Sequence, residues 1–203
     1  MENFFEYVKE RLYFGTLPDS QKLPLTYLIQ EGMKRKRRVE DIAYVLATAH
    51  HETGRFRWDE EIGQGAEHDY GEPIWLIRGK SVAYYGRGPI MLTWLHNYAT
   101  MSILTGRNLV SNPDLVKEWP LAGEIIWEGM IGGLFRPGHS LTTYINNGGK
   151  DYFSARNIVN GGLDRAGEIE KFAIYFEEGL RLVEDFSSTC PCCGQEISPS
   201  PLD

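Results

Sequence analysis

Apolar residues recur at helical spacing through most of this chain, and the rhythm fails in one long place, from Arg55 to Gly88. A chain patterned in this way folds mainly into helices, with its longest irregular stretch held between them. Phe4, Phe5, Val8 and Leu12 fall on one helical face, and Leu25, Leu28, Ile29 and Met33 on another. Ile42, Val45, Leu46 and Ala49 form the stripe of a third helix, predicted over Val39–Thr53 with Gly54 as its stop. Helical spacing returns over Ile90–Thr105, through Leu92, Leu95, Tyr98 and Met101. Asn112-Pro113-Asp114 reads as a turn or a helix start, and Arg136-Pro137-Gly138 as a turn. Leu121–Leu134 predicts an apolar helix whose Gly132-Gly133 pair marks a kink or an early end. Short helical pieces over Leu141–Ile145 and Asp151–Val159 flank Asn146-Asn147-Gly148-Gly149, and a last helix spans Ala166–Glu184. Between Arg55 and Gly88, glycines among scattered aromatics and charges predict loops, with room for a short hairpin. Irregular stretches of that length in compact domains are often functional.

The 203 residues suffice for one sizeable core and a tail, here residues 1–184 and 185–203, divided where the composition turns to Ser, Cys, Pro and Gly. All three cysteines lie between Cys190 and Cys193, so no disulfide framework supports the main domain. Cys190-Pro191-Cys192-Cys193-Gly194 resembles one knuckle of a zinc ribbon, which supplies two ligands where four are needed. An oxidisable tail is the expectation, and a zinc shared between chains the alternative. A net charge of −7 argues against nucleic acid as a partner. The basic run Lys34-Arg35-Lys36-Arg37-Arg38 reads as a solvated helix end and turn, with an electrostatic contact to an anionic partner as the alternative. No apolar run is long enough to span a bilayer, and Met1–Tyr13 lacks the apolar centre of a signal peptide. The expectation is a monomer kept in the cytoplasm until released, without membrane insertion and without a cofactor.

Two short stretches carry the chemistry. In His50-His51-Glu52-Thr53-Gly54, Glu52 stands at the C-terminal end of a predicted helix and against its apolar stripe. Both the helix dipole and partial burial there favour the protonated carboxyl, the form a general acid needs. Glu61 follows nine residues later in a loop, where a more solvated carboxylate suits a general base; Glu60 and Asp59 are its rivals, and spacing alone does not choose. Adjacent His50 and His51 point about 100° apart on a helix and cannot chelate one ion as a pair one turn apart would, so no metal is expected. His51 is expected to hydrogen-bond near the catalytic carboxylate, and His50 to pack. In Tyr84-Tyr85-Gly86-Arg87-Gly88-Pro89, the glycines admit close backbone approach, and Tyr84, Tyr85 and the nearby Trp94 offer flat faces for sugar rings. Thr93 offers a hydroxyl for a water, and Asn97 an amide.

The run Tyr-Tyr-Gly-Arg-Gly-Pro-Ile-Met-Leu-Thr-Trp with Asn97-Tyr98, taken with Glu52 and Glu61, resembles glycoside hydrolase family 19, the chitinase and endolysin-type hydrolases, and above all its short bacterial and phage members. Asn157-Ile158-Val159-Asn160-Gly161-Gly162 resembles the family's opposite cleft wall, as do Asn112-Pro113-Asp114-Leu115 and Phe153-Ser154-Ala155-Arg156 other family segments; the likeness runs from about Ile42 to about Leu182. It implies a mainly α, lysozyme-like, two-lobed domain with a central cleft. It also implies inverting hydrolysis of an N-acetylated polysaccharide, with Glu52 as acid, Glu61 as base and Thr93 holding water. His51, Tyr84, Tyr85, Arg87, Trp94, Asn97, Asn157 and Asn160 would bind substrate. Peptidoglycan is the expected substrate, in a cell-lysing role, and chitin the alternative. Two departures stand out. Met91 occupies the place of a substrate-binding glutamine, and Glu168 falls about where an arginine steadying a carboxylate is expected, leaving Arg87 and Arg165 as candidates for that task. They motivate a competing reading, a catalytically silent glycan-binding or scaffold protein; the cysteine cluster motivates another, an interaction protein that recruits a partner through zinc.

Overall fold

The structure, a computed structural model, describes residues 1–75 and 79–183. The cysteine-containing segment and the expectations attached to it lie outside the described residues. Seven α-helices and two small hairpins make up the described part: α1 (Glu2–Leu12), α2 (Asp19–Lys34), α3 (Val39–Glu52), β1 (Ile74–Trp75), β2 (Ser81–Val82), α4 (Leu95–Thr105), α5 (Leu121–Gly132), α6 (Leu141–Tyr144), β3 (Ile145–Asn146), β4 (Gly149–Lys150) and α7 (Ala166–Leu180). Short 3-10 segments lie at Asp69–Gly71, Pro113–Lys117 and Ser154–Ile158. The architecture is mainly α, as the periodicity predicts.

Helix α3 is the axis of the molecule. Every residue from Ile42 to His50 is buried, so the helix is enclosed on all sides rather than amphipathic. Its most extensive contact is with α7, which presents Ile169, Ala173, Phe176 and Leu180 inward; α1 packs on α7 in turn through Phe4 and Val8. Two glycines set how closely these helices cross. A Cβ on Gly32 of α2 would lie 2.6 Å from Ile42 and 2.7 Å from Trp127, so α2, α3 and α5 meet there with no side chain between them. Gly179 of α7 likewise lies under Phe4 and Tyr7 of α1. The Trp127 indole is fully buried and its N–H donates to the Leu28 carbonyl at 3.1 Å, which satisfies its one donor inside the core.

Several boundaries differ from the sequence expectation, each for a local reason. The helix expected from Ile90 starts at Leu95, because Met91 and Trp94 hold positive φ (49° and 68°), a conformation no α-helix accommodates. Residues 87–92 instead fold back on themselves, with Arg87 and Leu92 exchanging backbone hydrogen bonds. Asn146-Asn147-Gly148-Gly149 is the turn of the β3–β4 hairpin rather than a linker between helices, a use of Asn and Gly that favours tight hairpins. Only a 3-10 segment forms between Asp151 and Val159. Helix α5 ends at Gly132, and Gly133 takes the left-handed position after it (φ 63°). The basic run is not a solvated helix end alone: Arg35 pairs with Glu31 and Glu128, Arg37 with the buried Asp41 at 2.7 Å, and Arg38 with Glu40 at 3.2 Å. Its guanidinium groups are thus engaged within the chain, while Lys34 and Lys36 are exposed.

Candidate active site

The sequence after α3 makes a sharp reversal. Thr53 bonds back to the Ala49 carbonyl through its hydroxyl, and that oxygen accepts the Phe56 N–H at 2.8 Å. Gly54, Arg55 and Phe56 all hold positive φ, and Gln21 of α2 fixes the turn by donating to the Arg55 carbonyl at 2.7 Å. The reversal lays the Trp58 ring against Gly54, where an added Cβ would come within 2.2 Å of it. Trp58 remains 51% exposed and forms one wall of a hollow of about 460 Å³ with Glu60, Glu61, Ile62, Gly63 and Gln64. It therefore links the end of α3, where Glu52 stands, to the loop that carries Glu61.

Glu61 is held at both oxygens. Tyr70 donates its hydroxyl to Oε1 at 2.8 Å, and the Gly86 N–H donates to Oε2 at 3.1 Å, while the Glu61 N–H donates to the Gly86 carbonyl at 2.7 Å. Gly86 is closely packed: a Cβ would lie 3.2 Å from that of Glu61 and 3.3 Å from that of Met91, so either neighbour would have to give way. The rival Glu60 lines the same hollow but is differently engaged. Its backbone forms a β-bridge with Arg87, and its carboxylate pairs with Lys117 at 3.2 Å. Of the two glutamates beside the hollow, Glu61 is thus held by hydrogen bonds from neutral donors and Glu60 by an ion pair.

Glu52 ends α3 and is paired with Arg156, whose Nη1 lies 2.5 Å from Oε1. Neither Arg87 nor Arg165 serves it. Arg87, expected to bind substrate, is 5% exposed and braces the loop: it donates to Asp114 at 3.0 Å and to the Ala83 carbonyl at 3.0 Å, and its guanidinium lies 3.5 Å from the Tyr85 ring centre. Arg165 lies 3.9 Å from Glu168, which also faces His51 Nδ1 at 3.8 Å. Arg156 sits in the segment Phe153-Ser154-Ala155-Arg156, whose residue types alone do not reveal this task. The partner expected to be Arg87 or Arg165 is thus Arg156, and Glu52 is half of a carboxylate–guanidinium pair.

Two other expected contacts change character. Tyr84 is 1% exposed, with its hydroxyl on the Val110 carbonyl at 2.9 Å, and Tyr85 is 8% exposed beneath Arg87. Both are packed, so neither offers the open ring face expected for a sugar. Trp94 does, being 43% exposed; its positive φ turns it into a second hollow of about 410 Å³, lined also by Asp69, Tyr70, Ile74, Leu95, His96 and the small exposed part of Tyr84. Thr93 and Asn97 are half-buried beside it, with the Asn97 amide donating to the Thr93 carbonyl at 2.9 Å. Asn157 and Asn160 lie on the turn that follows Arg156. Arg136 pins this turn, its Nη1 within 3.1 Å of the Asn157 carbonyl and side-chain oxygens and of the Asn160 carbonyl. Asn157 thereby spends its amide inside the chain, donating to the Ser154 carbonyl at 3.0 Å as well. Asn160 accepts the Gly161 N–H at 2.9 Å through its side-chain oxygen.

His50 is packed, as expected. Tyr13, Phe56, Phe172 and Phe176 surround its ring, and Nδ1 lies 3.2 Å from the Tyr13 hydroxyl. Burial, with help from Arg55 and His51, pushes its pKa down to about 3, so it is neutral. Among the described residues no group of three His, Cys, Asp or Glu side chains is placed to hold a metal ion.

Comparison with known proteins gives the chain relatives and a family. Endochitinase At2g43610 of Arabidopsis thaliana is 33% identical over 114 residues, 54% of this chain and 40% of that protein. Inactive chitinase-like protein 1 of Hevea brasiliensis is 32% identical over 131 residues, 55% of this chain and 40% of that protein. The chain thus spans about two fifths of the length of these relatives. Chitinase C from Streptomyces griseus HUT6037 shares the fold, with a TM-score of 0.57 at 23% identity over 89% of this chain and 74% of that one. Residues 32–170 match the family model described as chitinase class I, which takes in α3, both hollows and the Arg156–Asn160 turn. With that match over more than half its length, the chain belongs to glycoside hydrolase family 19.

Proposed function

We propose that this chain is an inverting glycoside hydrolase that cleaves β-1,4 links of a chitin-type N-acetylated polysaccharide. Glu52 is the general acid that protonates the leaving oxygen. Glu61 is the general base that takes a proton from the attacking water, which the Thr93 hydroxyl helps hold. Arg156 compensates the charge that Glu52 acquires as it gives up its proton, and Trp58 and Trp94 are the ring platforms. The observation that carries the reading is the anchoring of Glu61: each oxygen accepts one fixed hydrogen bond, and the carboxylate lines an open hollow. A structural glutamate has no need of both.

Chitin is preferred over peptidoglycan because the named relatives are chitinases, and nothing in the site favours a muramic acid substituent. A silent, glycan-binding reading has one specific observation behind it: Met91 stands against Gly86, where the family resemblance leads one to expect glutamine. Mass spectrometry of products from chitin oligomers and from peptidoglycan separates these readings. Shortened chitin oligomers support the proposal, muropeptide fragments alone move the substrate to peptidoglycan, and binding without products from either favours the silent reading. NMR during early turnover is expected to show the α-anomer first, as direct attack by water on a β-link requires.

A further inference from the structure

We propose that Tyr70 is a positioning residue for Glu61, and that the loop from Gly63 to Gly71 is built to deliver its hydroxyl to that carboxylate. The inference rests on the reading of Glu61 as the general base and adds a residue that the sequence did not single out.

The loop closes on itself through glycines. Gly71 lies so near the Gly65 carbonyl that a Cβ would come within 2.0 Å of its oxygen, and a Cβ on Gly65, at φ 71°, would meet the Tyr70 ring at 2.8 Å. Both positions exclude any other residue while the loop keeps this path. The Tyr70 ring is clamped on two sides: His68 stacks on it with centroids 4.9 Å apart, and Trp94 meets it edge-on at 5.5 Å. Its carbonyl accepts the Tyr84 N–H at 3.1 Å, which ties it to the glycine-rich segment that also supplies Gly86. The ring therefore has little freedom, and its hydroxyl meets Glu61 Oε1 at 2.8 Å.

The chemistry requires a donor at this point. A base that swings cannot hold a water in line with the scissile bond, and orientation errors near 1 Å cost rate steeply. Gly86 fixes one oxygen and Tyr70 the other, leaving the second lone pair of each oxygen for the water. Burial first, then the hydrogen bond and charge of Glu61, push the Tyr70 hydroxyl up to about 12, so it stays a donor at neutral pH. The neighbouring charges are otherwise engaged: Glu60 with Lys117, and Arg87 with Asp114.

The test is Tyr70→Phe, which keeps the clamped ring and removes only the hydroxyl. Two readouts are taken on the full chain. The first follows the Glu61 side-chain carboxyl by carbon-detected NMR as pH is varied, and needs no activity. In the variant its midpoint is expected to move to higher pH, because a hydrogen bond to the ionised form has been lost. The second is hydrolysis of chitin oligomers, where kcat is expected to fall about 10–100-fold with KM little changed, and the acidic limb of the profile to move upward with the NMR midpoint. An unmoved NMR midpoint overturns the contact, whatever the activity. A moved midpoint with unchanged kcat overturns the positioning role. If Glu61→Gln proves fully active, the assignment of Glu61 as base fails, and the positioning role fails with it, while the NMR readout still decides the contact. A rise in KM alone in Tyr70→Phe would make Tyr70 a substrate contact and overturn the proposal as well.

Discussion

At the scale of single residues, adjacent side chains of one type have acquired opposite tasks. Glu60 neutralises Lys117, and Glu61 presents an anchored carboxylate to the hollow. Glu61→Gln is therefore expected to lower hydrolysis by several orders of magnitude, because acid and base act as a unit. Glu60→Gln, which removes an ion pair at a partly exposed site, should retain most activity; assays on chitin oligomers compare the two directly. Gly86 ties the Glu61 carboxylate to its seat. Gly86→Ala would push a methyl to within 3.2 Å of Glu61 Cβ, so a loss of kcat with the fold retained is expected, read by activity beside circular dichroism.

At the scale of elements, two close crossings set the helical packing, and each depends on an absent side chain. Gly32→Ala would drive a methyl into Ile42 and Trp127, side chains fully buried in the crossing of α2 with α3 and α5. Overpacking of this kind costs about 1–3 kcal/mol, more than the helix propensity that Ala gains over Gly returns. Chemical denaturation should show that loss as a lower midpoint with an unchanged slope. The Ser154–Asn160 segment is the other decisive element. One short turn carries Arg156 to Glu52 and places Asn157 and Asn160 in the grip of Arg136, so the partner of Glu52 and the Asn157–Asn160 turn belong to the same piece of chain.

Across the whole molecule, the neutral His50 in its aromatic cage couples stability to pH. Its folded pKa, about 3, lies below the ordinary value of 6.5. Between those values the unfolded chain binds a proton that the folded one refuses, so stability from this site is complete above pH 6.5 and is lost as pH falls toward 3. Asp41 works in the opposite sense, since burial raises its carboxyl despite Arg37. The contribution of His50 is therefore best read as a difference: the slope of unfolding free energy against pH between 6.5 and 3 should be shallower in His50→Gln than in the unaltered chain. Equal slopes would place the acid sensitivity elsewhere.

The sequence by itself determined the mainly helical class, most of the long helices and the end of α3. Hydrophobic periodicity is a local property, and it places Ile42, Val45, Leu46 and Ala49 inside and Glu52 at a terminus whatever surrounds them. It also determined the family, because the Tyr84–Trp94 run is specific as a string. Tertiary structure alone decided which of those residues face a ligand. Tyr84, Tyr85 and Arg87 read as open contacts in a glycine-rich loop, yet the loop folds inward and buries them, while Trp58, which drew no notice in the sequence, stands half-exposed beside Glu61. The partners of the two carboxylates were equally out of reach. Arg156 meets Glu52 across 104 residues of chain, and Tyr70 reaches Glu61 only because a loop of glycines turns back on itself. Spacing in sequence says where a charge sits on its own element; which opposite charge or hydroxyl arrives beside it is settled by how the elements pack.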